Sequence, residues 1–190
     1  MKRPAIRPIA LAALWVLPLA SAAETYGVLD APKSRLDFEY RQMGVAVSGG
    51  FRRFDAEIRY DPAHPQAASA VVEVPVSAID TGSPEGDQEA QGKDWFNAAG
   101  YPLARFESSS VKVLGPGRIT LSGTLSIKGK RRAITVPVSV AVRPGQASFD
   151  GSFGLKRTDF GIGAGLWSDD EVVAHEVEVS FHLVTRPLPR

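Results

Sequence analysis

The chain has 190 residues, with 22 basic side chains, 21 acidic side chains and no cysteine. The lack of cysteine excludes a disulfide framework, a cysteine nucleophile and a lipid anchor attached at a cleavage-site cysteine. The only basic run covers 128–132. Because binding to a polyanion needs a more concentrated basic patch, we expect no nucleic-acid partner.

The first 23 residues show the three parts of a secretory signal peptide. Three basic residues and no acid lie in the first seven positions, an apolar run of twelve residues follows over 9–20, and small residues follow over 20–23. The apolar run is shorter than the roughly 20 residues that a membrane-spanning helix needs. An uncleaved anchor is the alternative. We predict a cleavable signal peptide over 1–23, a periplasmic location and no stable membrane insertion after cleavage.

The remaining sequence, 24–190, keeps 19 basic and 21 acidic side chains, a net charge of about −2. Its length suits a single domain with its own core. Apolar and polar residues alternate along it with a period of two, which is typical of half-buried β-strands separated by Gly, Pro and Asp turns. We predict about eight strands in an antiparallel barrel or sandwich. The apolar rows lie in 36–40, 54–60, 72–76, 119–127, 134–142, 149–155 and 177–183.

One segment, 82–100, lacks this alternation. A capping serine, a proline at the first helical position and an acid in the first turn predict a short helix over 84–92. A further helical turn is predicted over 94–98. Trp95 and Phe96 would anchor this connector inward, so that it covers one mouth of the barrel.

The sequence offers few groups for catalysis or metal binding. Its three histidines, His64, His175 and His182, lack the spacing of a shared metal site, and no nucleophile elbow is present. Only His175 has the parity of an inward-facing row. The acids 169–171 are expected in a solvated turn, and the glycine-rich 161–165 in a loop at the barrel rim. We therefore predict no catalytic residue, no metal site and no cofactor.

Arg157 is the one charged residue in an unusual position. It shares the parity of Phe153 and Leu155, so its guanidinium is predicted to point inward near one end of the barrel. There it could bind a phosphate, a carboxylate or a quinone-type head group, with apolar rows around a hydrocarbon tail. Alternatively, it could pair with a buried acid, Asp159 or Asp37.

Seven short motifs lie at 29–38, 49–54, 79–82, 93–108, 123–129, 157–162 and 176–177. In this order and at this spacing they resemble the motifs of the YceI-like family of lipocalin-like periplasmic polyisoprenoid-binding proteins. One position departs from the family pattern. The family commonly has a histidine after the opening strand, where this chain has Gln42. A role that needs an ionisable imidazole at that position is therefore not expected.

The resemblance implies an extended antiparallel lipocalin-like β-barrel with an internal tunnel and no catalytic residue. It also implies a long apolar ligand, such as a polyisoprenoid, a quinone-like molecule or a fatty amphiphile, and it makes a homodimer plausible. The expected lining residues are Phe38, Tyr40, Phe54, Ile58, Phe106, Leu121, Leu125, Phe149, Phe153 and Phe181, with Trp95 and Phe96 closing the tunnel and Arg157 at the head group.

Three alternatives remain open at this point. The inward side chains could simply fill the core, because small barrels are packed by their own side chains. The protein could be a stress-related partner of a membrane cytochrome or quinone system that uses the barrel as a scaffold. It could also be an enzyme acting on a lipid or quinone, with His175 or Arg157 as the only candidate groups.

Overall fold

A computed structural model describes residues 24–189. It confirms the predicted mainly β, antiparallel, lipocalin-like fold, with eleven strand segments rather than about eight. The predicted signal peptide over 1–23 lies outside the described residues. The elements are β1 (Tyr26–Leu29), β2 (Arg35–Gln42), β3 (Val45–Phe51), β4 (Asp55–Arg59), β5 (Ser69–Pro75), β6 (Ile79–Asp80), α1 (Pro84–Gln91), β7 (Leu103–Gly115), β8 (Arg118–Ile127), β9 (Lys130–Arg143), β10 (Gln146–Lys156) and β11 (Val173–Pro187).

The strands form one strongly curled antiparallel sheet. Its order is β4-β5-β7-β8-β9-β10-β11-β2-β3-β6, and β1 pairs separately with β11. At one end the two sides of the sheet meet, because the Tyr26 N–H donates to the Tyr60 carbonyl at 2.8 Å and the Tyr60 N–H donates to the Tyr26 carbonyl at 3.0 Å. This bridge joins the end of β4 to β1 and encloses the interior at that end.

The alternating apolar rows face this interior. Directly opposite partners on neighbouring strands lie on the same face of a sheet. Phe149 of β10 pairs with Leu183 of β11, and both are buried. Ile119 of β8 pairs in the same way with Val138 of β9. The barrel interior is therefore built by the rows that the alternation predicts.

The other end of the barrel, here called the capped end, carries the β2–β3 hairpin, the 82–102 connector and the 157–172 loop. The connector contains α1, which begins as predicted: the Ser83 hydroxyl accepts a hydrogen bond from the Gly86 N–H at 3.0 Å. Residues 93–96 form turns rather than the predicted helical turn over 94–98. Within 24–189, no helix combines the length and hydropathy needed to cross a membrane.

Asp87 fixes α1 against the sheet edge. Its carboxylate accepts hydrogen bonds from the Thr81 N–H at 2.7 Å, from the Thr81 hydroxyl at 2.9 Å and from the Arg52 guanidinium at 2.8 Å. These contacts, the Thr81 N–H foremost, hold the pKa of Asp87 below its ordinary value. Arg52 also bonds the carboxylate of Asp80, so one arginine ties α1 to β6.

Candidate ligand-binding cavity

The curled sheet encloses a cavity of about 450 Å³. This volume falls within the range of sites that bind small organic ligands. The lining comes from the inward rows of β2–β5 and β7–β11, together with the 82–102 connector and the 157–172 loop. Of the acidic and basic side chains within 24–189, only Glu89, Arg105 and Arg157 contribute to it. The cavity is therefore a predominantly apolar compartment.

All thirteen residues that were predicted to contact a ligand line this cavity. They are Phe38, Tyr40, Phe54, Ile58, Trp95, Phe96, Phe106, Leu121, Leu125, Phe149, Phe153, Arg157 and Phe181. Contact between these residues and a ligand stays a prediction. The structure does show that their side chains leave open space inside the barrel instead of filling it.

Apolar and aromatic side chains line the interior at both of its ends. Near the Tyr26–Tyr60 bridge, the Tyr60 and Phe149 rings meet edge to face with their centroids 5.3 Å apart. Burial raises the pKa of the Tyr60 phenol above its ordinary value. Near the capped end, a second apolar cluster forms around Leu125 and Phe160. An apolar ligand would contact aromatic side chains along the whole length.

The capped end is covered by contacts between the connector and the 157–172 loop. The rings of Trp95 and Trp167 lie 5.6 Å apart, centroid to centroid. The Trp167 indole N–H donates to a Glu89 carboxylate oxygen at 3.0 Å, and the Ala164 N–H donates to the Asp94 carbonyl at 2.8 Å. The predicted cover over one mouth is thus made by two segments rather than by the connector alone.

Lys128, in the turn between β8 and β9, holds the same two segments together. Its ammonium group donates to the Lys93 carbonyl at 2.9 Å and to the Gly161 carbonyl at 2.7 Å. Burial lowers the pKa of Lys128, and the nearby carboxylate of Asp94 partly opposes that effect. The lysine acts as a bridge between connector and loop rather than as a free surface charge.

Arg157 is buried, with 2% of its surface exposed, and points inward as its parity predicts. Its partners differ from both predicted alternatives. The five N–H groups of its guanidinium donate to five backbone carbonyls, and no carboxylate within 24–189 forms a salt bridge with it. Those carbonyls belong to Ile162, Gly163, Trp167, Val173 and Ala174. Pairing with Asp159 or Asp37 is therefore wrong, and no donor is left over for a head group.

The glycine-rich segment 161–165 makes this arrangement possible. Gly163 has a φ of 71°, in the left-handed region, and a Cβ at this position would lie 2.0 Å from a guanidinium nitrogen of Arg157. Only a residue without a side chain lets the loop approach the guanidinium this closely. The segment is the close-approach loop at the rim that the sequence predicts, and it wraps around Arg157.

His175 does not line the cavity, contrary to the prediction from its parity. A β-bulge between Val173 and Val177 shifts the register of β11 against β2, so His175 leaves the inward row. Its ring nitrogen Nε2 lies 3.0 Å from the Ser168 carbonyl oxygen, outside the lining. Among the described residues, no group of three or more acidic or histidine side chains could bind a metal ion.

Several lining residues were missed by the sequence analysis. Trp167 is the most important, because it closes the capped end. An aromatic residue two positions after the glycine-rich segment 161–165 is the signal that could have indicated it. Tyr60 and Phe51 also belong to the lining, as does Gln42, which stands where the family commonly has histidine.

The chain is similar to known proteins along most of its length. The family model described as "YceI-like domain" matches residues 28–185, from within β1 to within β11. The chain belongs to the YceI-like family. The matched region thus spans nearly the whole curled sheet together with the connector and the 157–172 loop.

Curated relatives of this YceI-like chain include UPF0312 proteins from several bacteria. One from Vibrio cholerae is 31% identical over 183 residues, which cover 90% of this chain and 96% of the relative. Another from Azotobacter vinelandii is 32% identical over 138 residues, which cover 67% of this chain and 70% of the relative.

Solved structures show the same fold. Burkholderia cenocepacia BcnA superposes with a TM-score of 0.80 at 39% identity, covering 82% of this chain and 98% of BcnA. The Campylobacter jejuni YceI protein gives a TM-score of 0.69 at 22% identity, covering 76% of this chain and 86% of its own. A polyisoprenoid-binding domain from Saccharophagus degradans gives 0.68 at 17% identity, covering 88% of this chain and 100% of the domain. The last two likenesses concern the fold alone.

Proposed function

We propose that this protein is an exported periplasmic carrier or store that holds a long apolar ligand, an isoprenoid or fatty chain, in its cavity. The observation that carries the proposal is the lining of that cavity, where aliphatic and aromatic side chains leave open space inside a YceI-like barrel. The Saccharophagus domain, which has this fold, is described as polyisoprenoid-binding. Together these observations favour binding over catalysis.

Burial of the hydrocarbon chain would supply most of the affinity. Each buried CH₂ group contributes roughly 0.8 kcal/mol, so a chain of about ten buried carbons has a gross transfer free energy near ~8 kcal/mol. The ordering of the ligand and its lost translational freedom offset part of this. A ligand of this kind therefore needs no strong ionic contact inside the barrel.

The charged groups of the lining favour a ligand whose buried part is uncharged. The Arg157 donors are all bound to carbonyls, Glu89 accepts from Trp167, and Arg105 bonds both Glu73 and Glu107. Within 24–189, no lining cation is left to neutralise a buried phosphate or carboxylate. A charged head group would have to stay at the mouth, in water.

The proposal is tested by blocking the cavity from within. Leu121 lines the cavity in the middle of β8, whereas Thr120, the preceding residue, does not. We expect Leu121→Trp to weaken binding of geranylgeraniol and palmitate at least about tenfold, because the indole occupies ligand space. Thr120→Trp is the matched control and should bind as the wild type does. Binding is measured by titration and native mass spectrometry.

Two results would contradict the carrier proposal. One is wild-type protein that takes up neither probe and carries no amphiphile when purified from its native periplasm. The other is unchanged binding in a correctly folded Leu121→Trp variant. If that variant unfolds, Val72→Phe provides a smaller obstruction in the same lining.

Export is tested separately. The first 23 residues predict cleavage near residue 23, so the periplasmic protein should begin at about residue 23 or 24 by mass spectrometry of the intact chain. A full-length protein that remains with the inner membrane fraction would contradict this part of the proposal.

A further inference from the structure

Among the exposed apolar side chains at the capped end, three belong to the β2–β3 hairpin and the 157–172 loop. Met43 and Val45, in the β2–β3 hairpin, are 72% and 66% exposed, and Leu166, in the 157–172 loop, is 91% exposed. We call these three residues the apolar rim. The hairpin and the loop are joined by a hydrogen bond from the Met43 N–H to the Val172 carbonyl at 3.0 Å.

The apolar rim lies next to residues that line the cavity. Gln42 and Val47, beside the hairpin tip, line the cavity, as does Trp167, the residue after Leu166. Val173, which pairs with Gln42 across the two segments, lines it as well. Each residue of the apolar rim therefore lies within two positions along the chain of a residue that lines the cavity.

Met43 occupies a position that favours a different residue. It has a φ of 47° and is followed by Gly44 with a φ of 78°, so the hairpin turns through two left-handed residues. Asn-Gly is the preferred pair in such a turn, and a bulky apolar residue is strained there. Asparagine would therefore fit the backbone of this turn better than the exposed methionine does.

The charges around the apolar rim have both signs. Asp169, Asp170 and Glu171 lie in the same loop as Leu166, whereas Arg41 lies in the hairpin, bonded to the Gly44 carbonyl at 3.1 Å. The basic residues 130–132 stand at the same end, at the start of β9. This mixture provides no strong attraction to an anionic surface.

We propose that the apolar rim docks on the surface of a lipid bilayer and inserts shallowly into it, so that ligand passes between bilayer and cavity without crossing water. This inference rests on the proposed carrier function, because a long apolar ligand has its source in a membrane. The insertion is driven by apolar contact and is therefore insensitive to salt and to anionic lipid.

The test is flotation of the purified protein with phosphatidylcholine–phosphatidylethanolamine vesicles, with and without phosphatidylglycerol, at about 0.1 M and about 1 M salt. Met43→Asn and Leu166→Asn should each lower the partition coefficient about tenfold, through loss of an inserted side chain. Leu114→Asn is the matched control, because Leu114 is 51% exposed in the β7–β8 hairpin at the opposite end. It should partition as the wild type does.

Uptake of geranylgeraniol separates docking from ligand binding. When the probe is added from ethanol, Met43→Asn should bind it with wild-type affinity and should melt no lower than the wild type. When the probe is delivered in vesicles, uptake by this variant should be about tenfold slower, in proportion to its weaker partition. Equal uptake rates from vesicles would overturn the docking proposal.

Other outcomes are equally decisive. Wild-type protein that takes up the probe from ethanol but does not float with vesicles would refute docking and leave the carrier function standing. Failure to take up the probe from either source would refute the carrier function itself and, with it, the transfer role of the rim.

Flotation that requires phosphatidylglycerol, or that disappears at high salt, would overturn apolar insertion. It would show that the protein binds the bilayer through electrostatic attraction to the lipid headgroups. A dimer in sedimentation equilibrium that Leu166→Asn abolishes would mean that a second copy covers the rim.

Discussion

Arg157 and Gly163 are fitted so closely that a single methyl group would force them apart. A Cβ on Gly163 would lie 2.0 Å from a guanidinium nitrogen, in a loop whose φ of 71° already disfavours a side chain. We expect Gly163→Ala to lower the free energy of unfolding by about 2–4 kcal/mol, through displacement of the buried arginine and backbone strain. Urea denaturation at neutral pH measures this loss.

Gly145 provides the control for the backbone part of that effect. It has a φ of 74°, and nothing lies within 4 Å of a Cβ built on it. Gly145→Ala should therefore cost only about 1 kcal/mol, the strain of a left-handed alanine. Equal losses for the two variants would contradict the close fit to Arg157.

Arg157 is predicted to stabilise the fold rather than to select the ligand. Arg157→Lys keeps the charge but cannot reach five carbonyls, so several buried acceptors lose their partners. We expect a loss of about 3 kcal/mol or more in the free energy of unfolding. Arg132→Lys is the control. Arg132, an exposed residue of β9, donates to the carbonyl of the neighbouring Arg131 and to one distant carbonyl, that of Asp159. Its replacement should cost less than about 1 kcal/mol.

A ligand-binding role for Arg157 would give the opposite pattern. Arg157→Lys would then retain wild-type stability while its affinity for a charged probe, geranylgeranyl diphosphate, fell. That result would restore the head-group hypothesis.

The direction in which side chains point was predictable, because alternation depends only on the period of a strand. Phe149, Phe153 and Leu155 line the cavity for that reason. The open space between them was not predictable. A Cβ at Gly151, in the same row, would lie 2.5 Å from the ring of Phe181. The ring therefore occupies the space that a side chain at position 151 would need. The sequence shows the glycine but not the ring that uses its space.

Local irregularities account for the residues that were placed wrongly or missed. Bulges between Ser108 and Ser110 and between Val113 and Gly115 interrupt the alternation of β7, so this thirteen-residue strand was not recognised as one row. A bulge before Val177 likewise moved His175 out of the inward row. A bulge depends on pairing with the neighbouring strand, which no single stretch of sequence reveals.

Arg157 shows a different limit. Its parity correctly predicted an inward guanidinium, but the predicted partners were a ligand head group or an acid of the chain, because acids can be read from the sequence. The true partners are backbone carbonyls, which every residue possesses and which only the path of the 157–172 loop brings together. The sequence pattern therefore predicted the place of the arginine and not its role.

Asp87 makes the attachment of α1 sensitive to acid. Its pKa is lower in the folded protein than in the unfolded chain, where a carboxyl of this type titrates near ~3.9. The unfolded state therefore binds more protons in this range, so the contribution of Asp87 is fully present above about pH 5 and is lost as the pH falls through and below about 4. Asp87→Asn should destabilise the protein at about pH 7 and approach the wild type at about pH 2.

Urea denaturation at both pH values measures this difference. Asp55→Asn is the control for removal of one acidic charge, because Asp55 is an exposed residue of β4. A destabilisation by Asp87→Asn that is the same at both pH values would contradict the linkage and would indicate a loss of packing instead.

The hydrogen bond between Trp167 and Glu89 is predicted to slow the release of ligand through the capped end. The indole N–H lies 3.0 Å from the carboxylate oxygen and joins the loop to α1 beside the Trp95 ring. We expect Glu89→Ala to raise the dissociation rate of a bound fluorescent probe, phenylnaphthylamine, about three- to tenfold, because one net hydrogen bond is worth about 0.5–1.5 kcal/mol. Stopped-flow displacement by excess palmitate measures the rate.

Two further variants separate the hydrogen bond from other effects of the substitution. Glu89→Gln keeps an oxygen that can accept from the indole, so its release rate should stay near that of the wild type. Trp167→Phe removes the indole N–H but keeps an aromatic ring, so its release should be faster, and adding Glu89→Ala to it should bring little further increase. Additive effects of Trp167→Phe and Glu89→Ala would contradict the prediction, and so would a release rate that no variant changes. Either result would show that the ligand leaves without breaking this hydrogen bond.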